Sequence, residues 1–316
     1  MSGTNVLALS GGVGGAKLAL GLSHLLPSDN LTVVANTGDD FTHLGLQICP
    51  DIDTVIYTLS DLADKERGWG RASETWNFIS ALGRLGGEDW FRLGDGDLAM
   101  HVYRTERLAA GHTLSEVTSD IALKLGIAAR VVPMTDDTVA TVVKTPTGEL
   151  SFQHYFVRDR CEPTVSGFRF EGIEAAAPSP GFAASLNGDL DAILITPSNP
   201  FVSIDPILSL TGVGNAISAA PAPVVAVSPI VGGAAIKGPA AKMMDELGMP
   251  TEAREVARFY EGLIDGFVID RRDEDQAPAI EAIGMAVWVT NTVMNDLEDR
   301  ITLARECCRF AEELAT

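Results

Sequence analysis

Short apolar runs alternate with stretches of helical periodicity along most of the chain. NVLAL (residues 5–9) and LTVVANT (31–37) are apolar enough for buried strands, and the residues between about Gly15 and Leu26 repeat their apolar positions at helical spacing. A strand, a glycine-rich turn, a helix and a second strand form the opening unit of a parallel sheet. The pattern therefore predicts an α/β fold.

Apolar strands of the same kind return in the second half of the chain. The pattern predicts them over Asp191–Pro200, Ala222–Gly233 and Asp265–Asp273, with helices between them and a last helix over Asn295–Leu314. Strands that alternate with helices favour a doubly wound, mostly parallel sheet of the Rossmann-like kind.

The middle of the chain has a different pattern. Residues 53–112 and 114–125 are mainly of helical periodicity, whereas Thr138–Thr145 and Glu149–Val157 alternate around a PTGE turn and predict a hairpin. This part interrupts the regular succession of apolar strands.

The chain has 316 residues, of which 46% are hydrophobic and 21% charged, as in a soluble globular protein with a large core. We expect one α/β domain, with a doubly wound sheet from about residues 1–60 and 185–316 and a largely helical insertion over residues 61–184. No apolar stretch reaches the roughly 20 residues of a membrane span. The first strand begins soon after Met1, and the four cysteines lack paired metal-ligand spacing. We therefore expect a cytoplasmic protein without a signal peptide.

The net charge of −20, from 43 acidic and 23 basic residues, restricts the expected partners. Nucleic acids and anionic membrane surfaces attract basic proteins, so we expect neither as a partner. An acidic protein that binds a phosphate ester needs a metal ion or a local cluster of lysines and arginines.

Residues 10–17, SGGVGGAK, form the glycine-rich turn after the first strand. Backbone N–H groups in such a turn approach an anion at a helix N-terminus, where the helix dipole also attracts it, so we predict a phosphate site. The turn lacks the Gly-Lys-Ser/Thr of a Walker loop and the GxGxxG spacing of dinucleotide folds. The alternative is a tight turn that binds nothing. The candidate phosphate ligands are Gly11, Gly12, Gly14, Gly15 and Lys17.

Two groups of acids flank this turn. NTGDD (36–40) follows the second strand and contains Asp39, and CPDIDT (49–54) contains Asp51 and Asp53. Carboxylates at the end of a strand bind Mg²⁺, which bridges to phosphate oxygens, whereas a single acid there holds a ribose in NAD enzymes or caps a helix. Because two acidic groups lie near one phosphate turn, we favour a Mg²⁺ site.

Aromatic and basic residues in the middle of the chain are candidates for binding a flat ligand. Trp69 and Trp76 either fill a core or form the wall of a heterocycle site. Arg92 lies beside the glycine-rich loop LGDGD, of a kind that binds ligands more often than it fills a core.

Two loops of the second half supply further polar positions. TPSNP and SPIVGG follow predicted strands, at the sheet edge where open α/β sheets bind ligands. Their candidate binding residues are Ser198, Asn199, Ser228 and Pro229. His43, His101 and His154 lack the context of a catalytic triad, and we expect them to be structural or peripheral.

Together these motifs resemble one family, the 2-phospho-L-lactate transferases of coenzyme F420 biosynthesis, over nearly the whole chain. The resemblance implies transfer of a 2-phospholactyl group from a lactyl-diphosphoguanosine to the ribityl hydroxyl of the deazaflavin 7,8-didemethyl-8-hydroxy-5-deazariboflavin. It also implies that GMP leaves and that Mg²⁺ is required. The matching segments, in chain order, are SGGVGGAKL, VVANTGDD, ICPDIDTVIYTLS, RGWG…ETW, LGDGDLAMH, VVPMTDD, PSNPFVSI and AVSPIVGGAAIKGPAAKMM.

The resemblance implies roles for single residues as well. Asp39 would hold Mg²⁺, and Asp53 would contact the metal or the acceptor hydroxyl, so these two are the candidate catalytic and metal-binding residues. Arg92 would bind the acceptor together with Asp53, Trp69 and Trp76, and the PSNP and SPI loops would take the guanosine. The family and the helical face near the C-terminus together predict a homodimer.

One position departs from the family's pattern. The family usually has Gly-Asp-Arg-Asp where this chain has Gly94-Asp95-Gly96-Asp97, and the missing arginine leaves the acyl group of the donor open among lactyl, enolpyruvyl and glyceryl. A UDP-sugar-binding regulator of the same superfamily is the main alternative, since it shares the glycine turn and the second-half loops. An NAD-dependent dehydrogenase is disfavoured, because the dinucleotide spacing and a proton-transfer residue are missing.

Overall fold

The computed structural model describes residues 3–316 of the chain. Its strands are β1 (Val6–Ser10), β2 (Leu31–Ala35), β3 (Phe41–His43), β4 (Leu46–Ile48), β5 (Arg130–Pro133), β6 (Ala140–Thr145), β7 (Gly148–Ser151), β8 (Gly167–Glu171), β9 (Ala192–Ile195), β10 (Val224–Val227), β11 (Ile230–Val231), β12 (Ala234–Ala235), β13 (Gly266–Asp270) and β14 (Ala286–Thr290). Its α-helices are α1 (Gly12–Leu25), α2 (Pro50–Leu59), α3 (Asn77–Arg84), α4 (Asp95–Ala109), α5 (Leu114–Lys124), α6 (Pro180–Leu186), α7 (Asp205–Leu208), α8 (Val213–Ser218), α9 (Ala240–Glu246), α10 (Ala253–Phe259), α11 (Ala277–Glu281) and α12 (Leu297–Leu314). None of the helices within this range is both long and apolar enough to cross a lipid bilayer.

Seven strands form one parallel sheet in the order β14-β13-β10-β9-β1-β2-β5. From β1 the chain moves in one direction to β2 and β5, and it then returns to place β9, β10, β13 and β14 on the other side of β1. The strand order therefore reverses beside β1, which is where doubly wound sheets bind ligands. The predicted α/β, doubly wound, Rossmann-like fold class is confirmed.

Both faces of the sheet are covered, which is why its strands are continuous apolar runs and not alternating ones. Along β1, Leu7 and Leu9 pack into one core and Val6 and Ala8 into the other, and all four side chains are buried. Helices α1, α2 and α12 contribute to the second of these cores. The turn after β1 therefore starts from a backbone that is fixed on both sides.

The middle of the chain is less helical than its pattern predicts. Strand β5, from within residues 61–184, pairs with β2 and forms one edge of the main sheet. Strands β6, β7 and β8 form a separate antiparallel sheet in the order β7-β6-β8. Part of the segment expected as an insertion thus belongs to the main sheet. In β5, Val131 and Val132 are buried like the residues of the neighbouring strands.

The predicted hairpin is present as β6 and β7, but its second strand ends at Ser151 and does not continue to Val157. Phe152, Gln153 and Tyr155 are all buried, and this spacing does not alternate as a strand requires. The chain instead forms a π-helical turn over residues 154–158. This turn brings Gln153 and its neighbours to the ligand cavity described below.

Helix α1 begins at Gly12, earlier than the predicted start near Gly15. The glycine-rich segment is therefore the first turn of the helix and not a loop in front of it. The short hairpin of β3 and β4 was not predicted, because its strands have only three residues each. The edge strand β14 was not predicted either.

Candidate active site

A cavity of about 850 Å³ opens at the carboxyl ends of β1, β2, β9 and β10, where the strand order reverses. Both halves of the chain and its middle segment line it. Gly15 and Trp76, which were also predicted for the site, lie outside its wall. The predicted residues on the wall are Gly11, Gly12, Gly14, Lys17, Asp39, Asp53, Trp69, Arg92, Ser198, Asn199, Ser228 and Pro229.

The glycine turn packs closely against the loops around it. The N–H of Gly11 donates to Ser198 Oγ (3.0 Å) and that of Gly12 donates to Asp51 Oδ1 (2.6 Å), so two of the amides predicted for phosphate are used inside the protein. A Cβ at Gly14 would overlap the carbonyl oxygen of Pro197. The first turn of α1 still lines the cavity, and the amides at the start of a helix lack partners within the helix.

We expect Gly14→Ala to lower the melting temperature more than Gly12→Ala does. The added methyl at Gly14 collides with backbone that is fixed by β9, whereas Gly12 has open space and only its φ of 63° opposes a side chain. A left-handed alanine costs about 1–2 kcal/mol. Thermal denaturation of both variants checks this order, and equal melting temperatures would contradict it.

Asp39, Asp51 and Asp53 line one part of the cavity, and each is less than a tenth exposed. Asn36 links two of them, since its Nδ2 donates to Asp51 Oδ2 (3.0 Å) and to Asp39 Oδ1 (3.4 Å). Burial and then the charge of Asp51 raise the pKa of Asp39, and burial raises the pKa of Asp51 to about 6. A cluster of buried acids with raised pKa values is stabilised when a cation binds it.

Mg²⁺ fits this donor set. In the part of the chain that the structure describes, no three His, Cys, Asp or Glu side chains converge into a metal cage. Mg²⁺ does not need one, because it is usually held by one or two carboxylates together with water and substrate phosphates. Asp39 is the most available of the three acids, since its carboxylate makes only 3.4 Å contacts with the amides of Asn36 and Gln153.

Asp53 differs from the other two acids because it already has a cation. Arg104 on α4 is fully buried, and its two terminal nitrogens both donate to the carboxylate of Asp53. His101, one turn earlier, lies 3.7 Å from Asp53 through Nδ1 and 3.2 Å from Asp97 through Nε2. Asp97 also accepts a hydrogen bond from Tyr57 Oη (2.5 Å). The side chain of Asp53 is therefore fixed in position from behind the cavity wall.

Arg104 was not predicted from the sequence, and His101 was expected to be structural or peripheral. His101 is in fact a cavity-wall residue in contact with two acids. Asp97, His101 and Arg104 are four and three residues apart, a spacing that puts side chains on one face of a helix. This spacing is the signal that could have identified them.

The aromatic part of the wall contains one of the two predicted tryptophans, Trp69, which is 55% exposed. Further rings on the wall, which were not predicted, include those of Trp90, Phe91, Phe152 and Phe156. Phe152 and Phe156 are stacked, with ring centroids 5.4 Å apart.

Trp76 does not line the cavity because two guanidinium groups cover its ring. Arg92 lies 4.7 Å and Arg67 5.1 Å from the ring centroid, and both arginines are on the cavity wall. Trp76 thus supports the arginines by cation–π contact from outside the wall.

The serine hydroxyl groups of the two second-half loops are hydrogen-bonded to backbone carbonyls of the protein. Ser198 Oγ donates to the carbonyl of Gly11 (2.7 Å), and Ser228 Oγ donates to the carbonyl of Ile230 (2.9 Å). Asn199 Oδ1 accepts from the N–H of Phe201 (3.0 Å). These side chains shape the loops, so the groups that the loops leave for a ligand are mainly backbone.

The space beside Gly96 is occupied by another arginine. A Cβ at Gly96 would overlap the guanidinium of Arg71, which forms an ion pair with Glu74 (3.3 Å). Glu74 in turn accepts from the N–H groups of Gly96 and Asp97 at the start of α4 (2.7 and 2.8 Å). A larger residue at position 96 would require this ion pair to move.

The fold is similar to that of a solved protein of low sequence identity. Protein BH3568 from Bacillus halodurans, described as a member of the UPF0052 family, superposes with a TM-score of 0.62 at 14% identity, covering 99% of each chain. At this identity the likeness shows the fold alone.

Curated relatives are much closer in sequence. The phosphoenolpyruvate transferases of Kitasatospora aureofaciens and Streptomyces coelicolor are each 41% identical to this chain, with 98% of both partners covered. The 2-phospho-L-lactate transferase of Methanosarcina barkeri is 38% identical over 95% of this chain and 96% of its own length. The model of the family described as 2-phospho-L-lactate transferase CofD matches residues 6–300. The chain therefore belongs to the 2-phospho-L-lactate transferase CofD family.

Proposed function

We propose that this protein transfers a phospho-acyl group from a guanosine diphosphate diester to the ribityl hydroxyl of 7,8-didemethyl-8-hydroxy-5-deazariboflavin, with release of GMP. The acyl part is 2-phospholactyl or the related phosphoenolpyruvyl or 3-phosphoglyceryl group, in accordance with the names of the relatives. One observation carries the proposal: a single cavity contains a helix N-terminus, a buried acid cluster and an aromatic wall. These suit the diphosphate, its metal ion and the deazaflavin ring, respectively.

The donor is proposed to lie along the glycine turn and the second-half loops. Its diphosphate faces the first turn of α1, where the dipole and the free amides favour negative charge. The loop at Ser198–Asn199 follows β9, which is next to β1, and the loop at Ser228–Pro229 follows β10, the strand beyond β9; both offer backbone groups for the guanosine.

Asp39 is the residue proposed to hold Mg²⁺, with Asp51 beside it. When bound, the ion supplies positive charge against the diphosphate oxygens, on which negative charge builds up during phosphoryl transfer. Asn36 and Gln153 orient the carboxylate of Asp39. The acidic net charge is compatible with a phosphate substrate because the cluster attracts a cation.

The acceptor is proposed to lie on the other side of the cavity. Its ring packs on the wall formed by Trp90, Phe91 and Phe156. Two roles were expected for Asp53, contact with the metal and contact with the acceptor hydroxyl. The ion pair with Arg104 favours the acceptor hydroxyl, because a carboxylate held at both oxygens cannot easily turn toward a metal. Catalysis then depends mainly on aligning this hydroxyl with the phosphorus atom.

A panel of ligands in a thermal-shift assay tests the proposal against its alternatives. We expect GDP with Mg²⁺ and the deazaflavin each to raise the melting temperature, since a ligand that binds only the folded state stabilises it. Stabilisation by a UDP-sugar but not by the deazaflavin would support the regulator instead. Stabilisation by NAD alone would support a dehydrogenase.

Trp90→Leu is expected to raise the acceptor's KM by about tenfold through the lost aromatic contact, with little change in donor binding. Trp288→Leu is the matched control, because Trp288 packs against Phe310 of α12 and not on the cavity wall. Steady-state kinetics with each substrate varied in turn measure both effects. A parallel loss of donor binding and melting temperature would show that Trp90 holds the fold and not the ring.

A further inference from the structure

Two lysines on the wall of the cavity have no acidic partner. Lys17 Nζ donates to the carbonyl of Met294 (2.8 Å), and Lys237 Nζ donates to the carbonyl of Gly68 (2.9 Å). Neither makes a salt bridge with a carboxylate in residues 3–316, whereas other lysines of this acidic chain do: Lys65, Lys124 and Lys242.

The two ammonium groups carry the same charge on the wall of one cavity. Burial lowers the pKa of Lys17, and the charges of Arg300 and Lys237 lower it further. Like charges gathered beside a cavity, with only carbonyl oxygens as partners, are stabilised by an anion that enters it. The surplus of positive charge is local, because the chain as a whole carries −20.

The two lysines come from distant parts of the chain. Lys17 is on the first turns of α1, at the end of the glycine-rich segment, and Lys237 is in the segment between β12 and α9. The hydrogen bond from Lys237 to Gly68 joins this segment to the loop that carries Trp69. Among residues 3–316, Lys17 and Lys237 are the two lysines on the wall of the cavity, so an anion in the cavity has them as its lysine partners.

We infer that Lys17 and Lys237 form a clamp for the diphosphate of the donor, and that a phosphate oxygen replaces the Gly68 carbonyl as the partner of Lys237. This inference rests on the proposed function. In the transfer, a bond forms between the ribityl oxygen and the phosphorus that carries the acyl group, and the bond from that phosphorus to the bridging oxygen breaks. The electron pair stays on the phosphate of GMP, where the two ammonium groups stabilise it, and the hydroxyl proton passes to the carboxylate of Asp53.

The test compares ligands with and without a diphosphate on single and double lysine variants. GDP with Mg²⁺ and guanosine are titrated by calorimetry into the wild type, Lys17→Met, Lys237→Met and the double variant. We expect each single change to weaken GDP binding roughly 10- to 100-fold, the usual loss for a charge-assisted hydrogen bond, and to leave guanosine binding unchanged. Lys237→Arg keeps the charge and is expected to retain most of the GDP affinity.

Lys65→Met is the matched control, because Lys65 is exposed, is paired with Asp61 and lies outside the cavity wall. It removes the same charge and should not change GDP binding. Wild-type GDP affinity in a folded Lys237→Met variant would overturn the clamp, as would an equal loss of guanosine binding. If that variant does not fold, Lys237→Gln replaces it in the same titration.

Inorganic pyrophosphate separates this inference from the proposed function. If the wild type binds pyrophosphate through both lysines but does not prefer GDP to UDP, the lysine clamp is supported and the guanosine donor is contradicted. If the wild type prefers GDP and the lysine variants bind GDP normally, the guanosine donor is supported and the lysine clamp is contradicted.

Discussion

Asp39→Asn is expected to reduce kcat by about a thousandfold at saturating substrates, the scale of a lost metal ligand that acts mainly in the transition state. Asp39 is the acid of the cluster with the weakest internal hydrogen bonds, so its carboxylate is the one that a cation can best use. We expect the Mg²⁺ concentration that supports half-maximal activity to rise as well.

The same variant should be at least as stable as the wild type. Burial and the neighbouring acids raise the pKa of Asp39, so an uncharged asparagine relieves repulsion in the metal-free protein. Asp205→Asn is the matched control: burial raises the pKa of Asp205 to about 6, but this acid lies outside the cavity wall. An Asp39→Asn variant with wild-type Mg²⁺ dependence would show that the metal binds elsewhere.

Arg104→Met is expected to destabilise the protein by about 3–5 kcal/mol, because it leaves the buried carboxylate of Asp53 without its cation. Arg104 is fully buried and donates to both oxygens of Asp53, so solvent cannot replace it. Adding Asp53→Asn should recover a large part of this loss. The four free energies of unfolding in urea give the pairwise energy directly.

Arg169→Met is the control for the loss of an arginine ion pair at the surface. Arg169 is partly exposed and paired with Glu149 on the antiparallel sheet, where such surface pairs contribute at most about 1 kcal/mol. Additive losses in the Arg104 and Asp53 variants would contradict the account of Asp53 as an acid fixed by its arginine.

The sequence predicts the centre of the main sheet well because β1, β2, β9, β10 and β13 are continuous buried runs between helices. The edge strand β14, which is only partly buried, was not predicted. The glycine turn, the acids after β2 and the loops after β9 and β10 could all be assigned to one edge, since parallel strands bring their carboxyl ends together. The family resemblance then predicted a transferase of coenzyme F420 biosynthesis, which no single motif specifies.

The rest depends on contacts between residues that are distant in sequence. The ion pair of Arg104 with Asp53 joins α4 to α2. In the sequence, its only local sign is the spacing that puts Arg104 on the same face of α4 as other polar residues. The residues of the aromatic wall could not be chosen from the sequence, because a tryptophan has the same sequence signature whether its ring lines a cavity, as that of Trp69 does, or faces an arginine, as that of Trp76 does. The segment after Ser151 was predicted as a strand because apolar and polar residues alternate there. Its buried and exposed positions do not alternate in the structure.

The most direct test of the account is the reaction itself. The purified protein is incubated with the deazaflavin, Mg²⁺ and, in separate reactions, the lactyl, enolpyruvyl and glyceryl diesters of guanosine diphosphate. The products are then separated by chromatography, identified by mass spectrometry and quantified. We expect GMP and the deazaflavin phosphodiester in equal amounts with at least one donor, and neither product when Mg²⁺ is chelated. No phosphodiester from any of the donors, with a folded protein and Mg²⁺ present, would contradict it.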